Sequence, residues 1–292
     1  MKSTKITSEI FIKAFSEFVK KHNINVYRAT AITDDGKTET VTFQECNPCQ
    51  NSYSVSKFFT LTAIGLLWDE GLIKTDEKLT DIFGSLCPPD MPSAWKEKTV
   101  EMAILHHCGL PTGYLDIDAQ NALKFGRDYL SYVLLTPLND TPGFSYTDAE
   151  FYLLARAVSI RAGKYILEYL WEKLFLPLGF REVAWSSCPM NYSMGATGLY
   201  IRTEDMAKLG ALYLNKGVYN GNRILSEKWI DMVTEKGYLP YYSQHGYGHG
   251  GMKGQMLAVF PKEKITVAWH GFHDEEAMII EWIDSFFGEK YN

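Results

Sequence analysis

The stretch from Ser54 to Glu70 constrains the fold more than any other part of the chain. Its apolar residues, Phe58 and Phe59 through Leu61, Ile64, Leu66, Leu67 and Trp68, run nearly all the way round a helix. A helix that is apolar on every side has to be buried. The apolar run Phe58–Trp68 is too short to cross a bilayer and contains two threonines and a glycine, so its place is a protein core. At 292 residues the chain can build such a core, and the length suggests about two domains or one large domain with an insertion.

Around that helix the hydrophobic patterns segregate. An amphipathic helix over Ser8–His22 puts Ile10, Phe11, Ala14, Phe15, Phe18 and Val19 on one face. Strand patterns over Ile24–Thr33 and Lys37–Gln44 flank the turn signal Asp35-Gly36. From about residue 98 to 179 the pattern is helical, with breaks at Gly109-Leu-Pro111 and Thr141-Pro-Gly143. Strand character returns over Gly195–Arg202, and Asn220-Gly221 marks a short hairpin between two helices. Gln255–Phe260 and Ile265–His270 form a last hairpin, followed by a helix over Asp274–Phe287. Strands at both ends with helices between them predict an α+β fold. Its antiparallel sheet is formed from both chain ends and flanked by helices (1–78 and 195–292), and a helical domain (79–194) is inserted.

Composition narrows the function classes. An aromatic content of 14% and a net charge of −6 exclude disorder, and the mild acidity argues against a nucleic-acid or anionic-membrane binder. Met1–Ile10 has no apolar signal-peptide core, which predicts a cytoplasmic protein. Five scattered cysteines suit reduced thiols. Cys46-Asn-Pro-Cys49 lacks the second ligand pair that a structural zinc needs, and reads as two incidental thiols in a loop.

Three short motifs carry chemistry. Ser54-Val-Ser-Lys57 opens the buried helix. Residues three apart share a helix face, so the lysine amine can reach the serine oxygen. The helix N-terminus adds partial positive charge, and burial would lower the lysine pKa towards a neutral base. Ser93-Ala-Trp-Lys96 has the same spacing but lies in a Pro-rich loop. Tyr146-Thr-Asp148 supplies a phenol that can move a proton near an ammonium group, and Asp148 can cap the helix that follows. Tyr114-Leu-Asp116 and Tyr213-Leu-Asn215 repeat that pattern in other settings. Gly248-His-Gly-Gly-Met-Lys-Gly254 opens the last hairpin, where its glycines admit a ligand close to a sheet-edge backbone. It fits neither a dinucleotide fingerprint nor a helical zinc pair at His245 and His249. No serine sits in a Gly-x-Ser-x-Gly elbow. Gly143-Phe-Ser-Tyr-Thr147 comes nearest but ends in threonine, which sets aside an α/β-hydrolase.

Taken in order, S-x-x-K, Y-x-D and H-G-G resemble the serine β-lactamase and penicillin-binding-protein-like hydrolases, especially the class C, DD-peptidase and esterase branch. Leu105-His-His-Cys-Gly-Leu-Pro111 is similar to that family's Leu-x-His-x-x-Gly-Leu-Pro turn, and the segments after Phe151, Thr203 and Gly217 are also similar. The resemblance implies a β-lactamase/transpeptidase-like fold and acyl transfer. Ser54 is then the nucleophile, and Lys57 and Tyr146 share the proton work. The backbone N–H groups of Ser54 and Met252 form the oxyanion hole, and Asp148, His249, Gly250 and Gly251 line the substrate site. It implies no metal and no organic cofactor.

Two departures bear on substrate. The family's Lys-Thr-Gly is here His249-Gly250-Gly251, without the permanent cation and the hydroxyl that hold a substrate carboxylate. Asp148 stands where β-lactamases carry asparagine. An ionised aspartate cannot donate to an amide carbonyl, and it repels a carboxylate. These changes point to an esterase-like serine hydrolase for a small ester or amide. The alternatives are a β-lactamase or D-alanyl-D-alanine carboxypeptidase activity, and a catalytically impaired protein that binds a ligand or peptide.

Overall fold

The computed structural model describes residues 6–139, 143–240 and 243–291, with side chains as far as 288. The chain divides into two compact units, Met1–Phe58 with Leu176–Ala184 and Leu199–Asn292, and Phe59–Phe175 with Trp185–Gly198.

The first unit is built on strands β1 (Val26–Thr33), β2 (Thr38–Thr42), β3 (Cys49–Asn51), β4 (Leu199–Arg202), β5 (Tyr247–Gly251), β6 (Gln255–Phe260) and β7 (Ile265–Gly271). Five of them form an antiparallel sheet in the order β2-β1-β7-β6-β5, so the two chain ends meet at β1 and β7, with Ala29 opposite Trp269. β3 pairs with β4 separately, Gln50 opposite Ile201. The helices Ser8–His22 and Glu276–Tyr291 share one core with the sheet, where Phe11, Phe15 and Val19 meet Met256, Phe260, Val267, Trp269, Ile279 and Phe287. Each such side chain taken fully out of water contributes about 1.5–3 kcal/mol. The helix Thr203–Leu214 also packs on strands of this sheet. A Cβ on Gly210 would lie 2.0 Å from Thr266 Oγ1, so only glycine allows that approach. Cover on both faces explains why every residue of β6 and β7 is buried, since successive side chains on a strand point to opposite faces.

The second unit is helical, and its axis is Ala149–Ala162, buried continuously from Ala149 to Ser159. The helices Leu79–Phe83, Val100–Ile104, Tyr129–Leu134 and Ile166–Leu170 pack against it. None of these four exceeds six residues, so apart from Ala149–Ala162 the helical pattern expected over 98–179 resolves into short pieces separated by loops. Gly109 sits at φ +94, which makes the first expected break, while Thr141 and Pro142 of the second lie outside the described residues.

The α+β expectation holds, with local differences. The strand expected from Gly195 begins at Leu199, because Gly195 and Gly198 have φ of +71 and +73 and form a loop. The Asn220-Gly221 hairpin is present, with both residues at positive φ as a tight two-residue turn requires. Cys49 begins β3 instead of lying in a loop, and its thiol donates to Glu182 Oε2 at 3.4 Å. Among the described residues, no helix is long and apolar enough to cross a membrane.

Candidate active site

The expected Ser54–Glu70 helix is divided at its start. Tyr53–Val55 form one turn of 3₁₀ helix, and the α-helix proper runs Ser56–Asp69. Tyr53 holds φ +44, a region costly for a bulky side chain. Several bonds enforce the turn. Asn51 Oδ1 accepts from Tyr53 N–H at 2.9 Å, and Ser56 Oγ donates to the Tyr53 carbonyl at 2.6 Å. Ser52 N–H donates to Leu199 O at 2.8 Å, which ties the turn to β4. Ser54 therefore sits at the mouth of a helix N-terminus. Lys57, one turn on, is fully buried with Nζ 3.2 Å from Ser54 Oγ. The decoy fails this test: Ser93 and Lys96 lie in a 3₁₀ turn and are both exposed.

Behind the turn lies a polar chain that sequence reasoning missed. Ser52 Oγ is 3.1 Å from His270 Nε2, and His270 Nδ1 is 2.8 Å from Thr203 Oγ1. His270 is wholly buried, and burial, reinforced by the Arg28 charge, pushes its pKa down to about 3. It is a neutral hydrogen-bonding strut at ordinary pH.

The third motif forms the edge strand β5, with His249 opposite Leu257 and Gly251 opposite Gln255. A Cβ on Gly251 would lie 2.5 Å from Ser52 O and 3.2 Å from Tyr53 Cβ, so glycine lets this edge close on the nucleophile turn. His249 is buried and donates from Nδ1 to the Gly250 carbonyl at 2.7 Å. Beyond the strand, Gln255 braces the turn that carries Met252. Its Nε2 donates towards Met252 O (3.2 Å), Lys253 O (2.8 Å) and Gly271 O (2.8 Å). Gly254, at φ +78, rests on the His273 ring, where a Cβ would come within 2.3 Å.

Tyr146 and Asp148 belong to the second unit. Tyr146 is half-buried against the His106 ring, and its carbonyl accepts from Gly113 N–H at 2.8 Å. Asp148 occupies the N-cap of the Ala149–Ala162 helix, but its side chain makes no cap bond; Thr147 Oγ1 accepts from Glu150 N–H at 3.4 Å instead. The Asp148 carboxylate gathers with those of Asp116 and Asp118 within 4.8 Å. That acidic group, in which Asp118 also accepts from the Thr197 hydroxyl, escaped the sequence because its members come from distant segments. The decoy Tyr114 is structural. It bonds Thr136 Oγ1 at 2.5 Å, stacks on Tyr132, and burial pushes its pKa up to about 12.

A profile of the family Beta-lactamase matches residues 26–274. The chain belongs to the β-lactamase family. It is 24% identical over 231 residues to 6-aminohexanoate-dimer hydrolase of Paenarthrobacter ureafaciens, a match covering 74% of this chain and 56% of that protein. The chain thus spans little more than half the length of that curated relative. Among solved structures it is similar to a family VIII carboxylesterase, with TM-score 0.72 at 15% identity over 94% of this chain and 96% of that one. It is similar also to the octameric penicillin-binding protein homologue from Pyrococcus abyssi, with TM-score 0.70 at 18% identity over 95% of this chain and 77% of that one. At these identities the likeness shows the fold, which is β-lactamase/transpeptidase-like.

Proposed function

We propose that this β-lactamase-family chain is a serine hydrolase that acts through an acyl-enzyme on a small ester or amide. One observation carries the reading: a fully buried lysine amine lies 3.2 Å from a serine hydroxyl at a helix N-terminus. Buried lysines are rare unless something holds them there, and this one faces an oxygen that becomes a nucleophile once its proton is removed.

In the proposed reaction Ser54 Oγ bonds to the substrate carbonyl carbon while Lys57 and Tyr146 together take up its proton. The tetrahedral oxyanion is met by the N–H groups of Ser54 and Met252, each such donor supplying about 3–4 kcal/mol of barrier lowering. Tyr146 hands that proton to the leaving alcohol or amine as the C–O or C–N bond breaks. Water then attacks the acyl-enzyme and gives a proton to Lys57 and Tyr146, which return it to Ser54 as the acid leaves. The similar proteins include a 6-aminohexanoate-dimer hydrolase, a D-stereospecific amidohydrolase and a carboxylesterase, which supports both substrate classes. His249, with Nδ1 committed to Gly250, is no permanent cation for a substrate carboxylate, and an ionised aspartate at 148 repels one, so uncharged acyl groups fit better than β-lactams.

The direct test is turnover of p-nitrophenyl acetate and nitrocefin by the wild type and Ser54→Ala. Ester hydrolysis that exceeds nitrocefin hydrolysis and vanishes in a folded Ser54→Ala variant is the expected result. Undiminished ester turnover in that variant contradicts the reading. Ligand binding without covalent adduct or product favours a binding protein on this fold.

A further inference from the structure

Glu150 lies in the first turn of the Ala149–Ala162 helix with its side chain wholly out of solvent. Burying a carboxylate is costly unless donors surround it. Three polar groups surround this one. The Thr147 hydroxyl and His106 Nδ1, at 3.1 Å, meet Oε2, and Cys108 N–H reaches Oε1 at 3.3 Å. His106 Nδ1 also lies 3.4 Å from the Thr147 backbone N–H, so the ring joins Glu150 to Thr147.

Both side-chain partners adjoin Tyr146. Thr147 follows it in the chain. The His106 ring packs on the phenol ring with centroids 4.7 Å apart at 39°, and the His106 carbonyl accepts from Ser145 N–H at 2.9 Å. His106 sits at φ +57, the left-handed region, so the anchoring of its ring also holds a strained piece of backbone in place. Two neighbours of Tyr146, the ring that packs on it and the residue that follows it, therefore meet a single carboxylate.

We propose that Glu150 is a positioning residue for Tyr146, acting through His106 and Thr147 to fix the phenol for proton transfer; this rests on the reading of Tyr146 as the proton-transfer group. A displacement of about 1 Å in such a group costs about 100-fold in rate. Glu150→Gln keeps the size but turns an amide NH₂ towards groups that already donate.

The test follows covalent labelling by a fluorophosphonate, which separates the rate of bond formation (kinact) from affinity (KI). Glu150→Gln is expected to lower kinact by about 10- to 100-fold, with KI changing less than about twofold. In a Tyr146→Phe background the same substitution is expected to add less than about a further twofold, because its effect passes through the phenol. An equal loss in both backgrounds overturns the proposal, as does an unchanged kinact in Glu150→Gln when Tyr146→Phe is slow. An unchanged kinact in Tyr146→Phe removes the proton-transfer reading and the proposal together, and so does a wild type that is not labelled. Should Glu150→Gln fail to fold by circular dichroism, Thr147→Val removes one donor at constant volume and is expected to show the same non-additivity at smaller amplitude.

Discussion

Ser52 Oγ lies 3.1 Å from His270 Nε2, so the residue that starts the nucleophile turn is fastened to the last strand of the sheet. The bond needs a neutral ring in a buried place, and this gives it a pH signature. His270 has a folded pKa of about 3 against an ordinary 6.5. Between those values the unfolded chain binds a proton that the folded chain refuses. Stability contributed by the neutral ring is therefore intact above the ordinary value and lost as pH falls, by at most about 1.4 kcal/mol per pH unit. Urea melts at about pH 7 and about pH 5 should show a smaller loss in His270→Asn than in wild type. Equal losses in the two proteins would remove His270 as a source of acid sensitivity.

Gly251 carries the second prediction. Its missing Cβ would meet the Ser52 carbonyl at 2.5 Å, and a backbone carbonyl cannot swing away. Gly251→Ala should force β5 off the nucleophile turn, lower stability by about 1–3 kcal/mol, and slow Ser54 labelling. Gly221→Ala, strained at φ +78 but with nothing within 4 Å, is the control. It should lose stability without slowing the labelling. If both variants label at the wild-type rate, the close approach has no part in the reaction.

Removing the buried amine separates chemistry from folding. Lys57→Met keeps a long chain in the same apolar place, so the fold should persist by circular dichroism. Labelling of Ser54 should fall by about 100- to 10,000-fold, the usual range for a positioned general base. A variant that labels as fast as wild type would assign the base elsewhere.

The third motif tests substrate charge. His249→Lys restores a permanent cation to β5 and should raise acylation by a carboxylate-bearing β-lactam relative to p-nitrophenyl acetate by about tenfold, or about 1.4 kcal/mol of differential binding. An unchanged ratio would show that His249 does not face the acyl donor's charge.

The fold class was legible because its strongest signals are local. The apolar run after Phe58 needed a core, and strand patterns at the two ends needed each other; β1 and β7 are neighbours in the sheet. Ser54 and Lys57 were legible for the same reason, since their relation is set by one helical turn. What escaped depends on contacts between distant segments. The short helices of the second unit are held by packing on Ala149–Ala162 and are too brief to show a period. His270 behind Ser52, Gln255 on the Gly271 carbonyl, Glu150 against the His106 ring, and Asp116 and Asp118 near Asp148 carry no pattern that could announce them. The 3₁₀ turn at Ser54 reads as helix in sequence because its departure rests on one positive φ at Tyr53 and bonds from Asn51 and Leu199.

The central claim is that Ser54 is an activated nucleophile. Intact-mass and peptide-mapped labelling with a serine-directed fluorophosphonate, run beside Ser54→Ala, tests it most directly. The account predicts a single adduct on the peptide containing Ser54, absent from the folded variant. A folded wild type that takes up no adduct, or one that carries it on another residue, would contradict it.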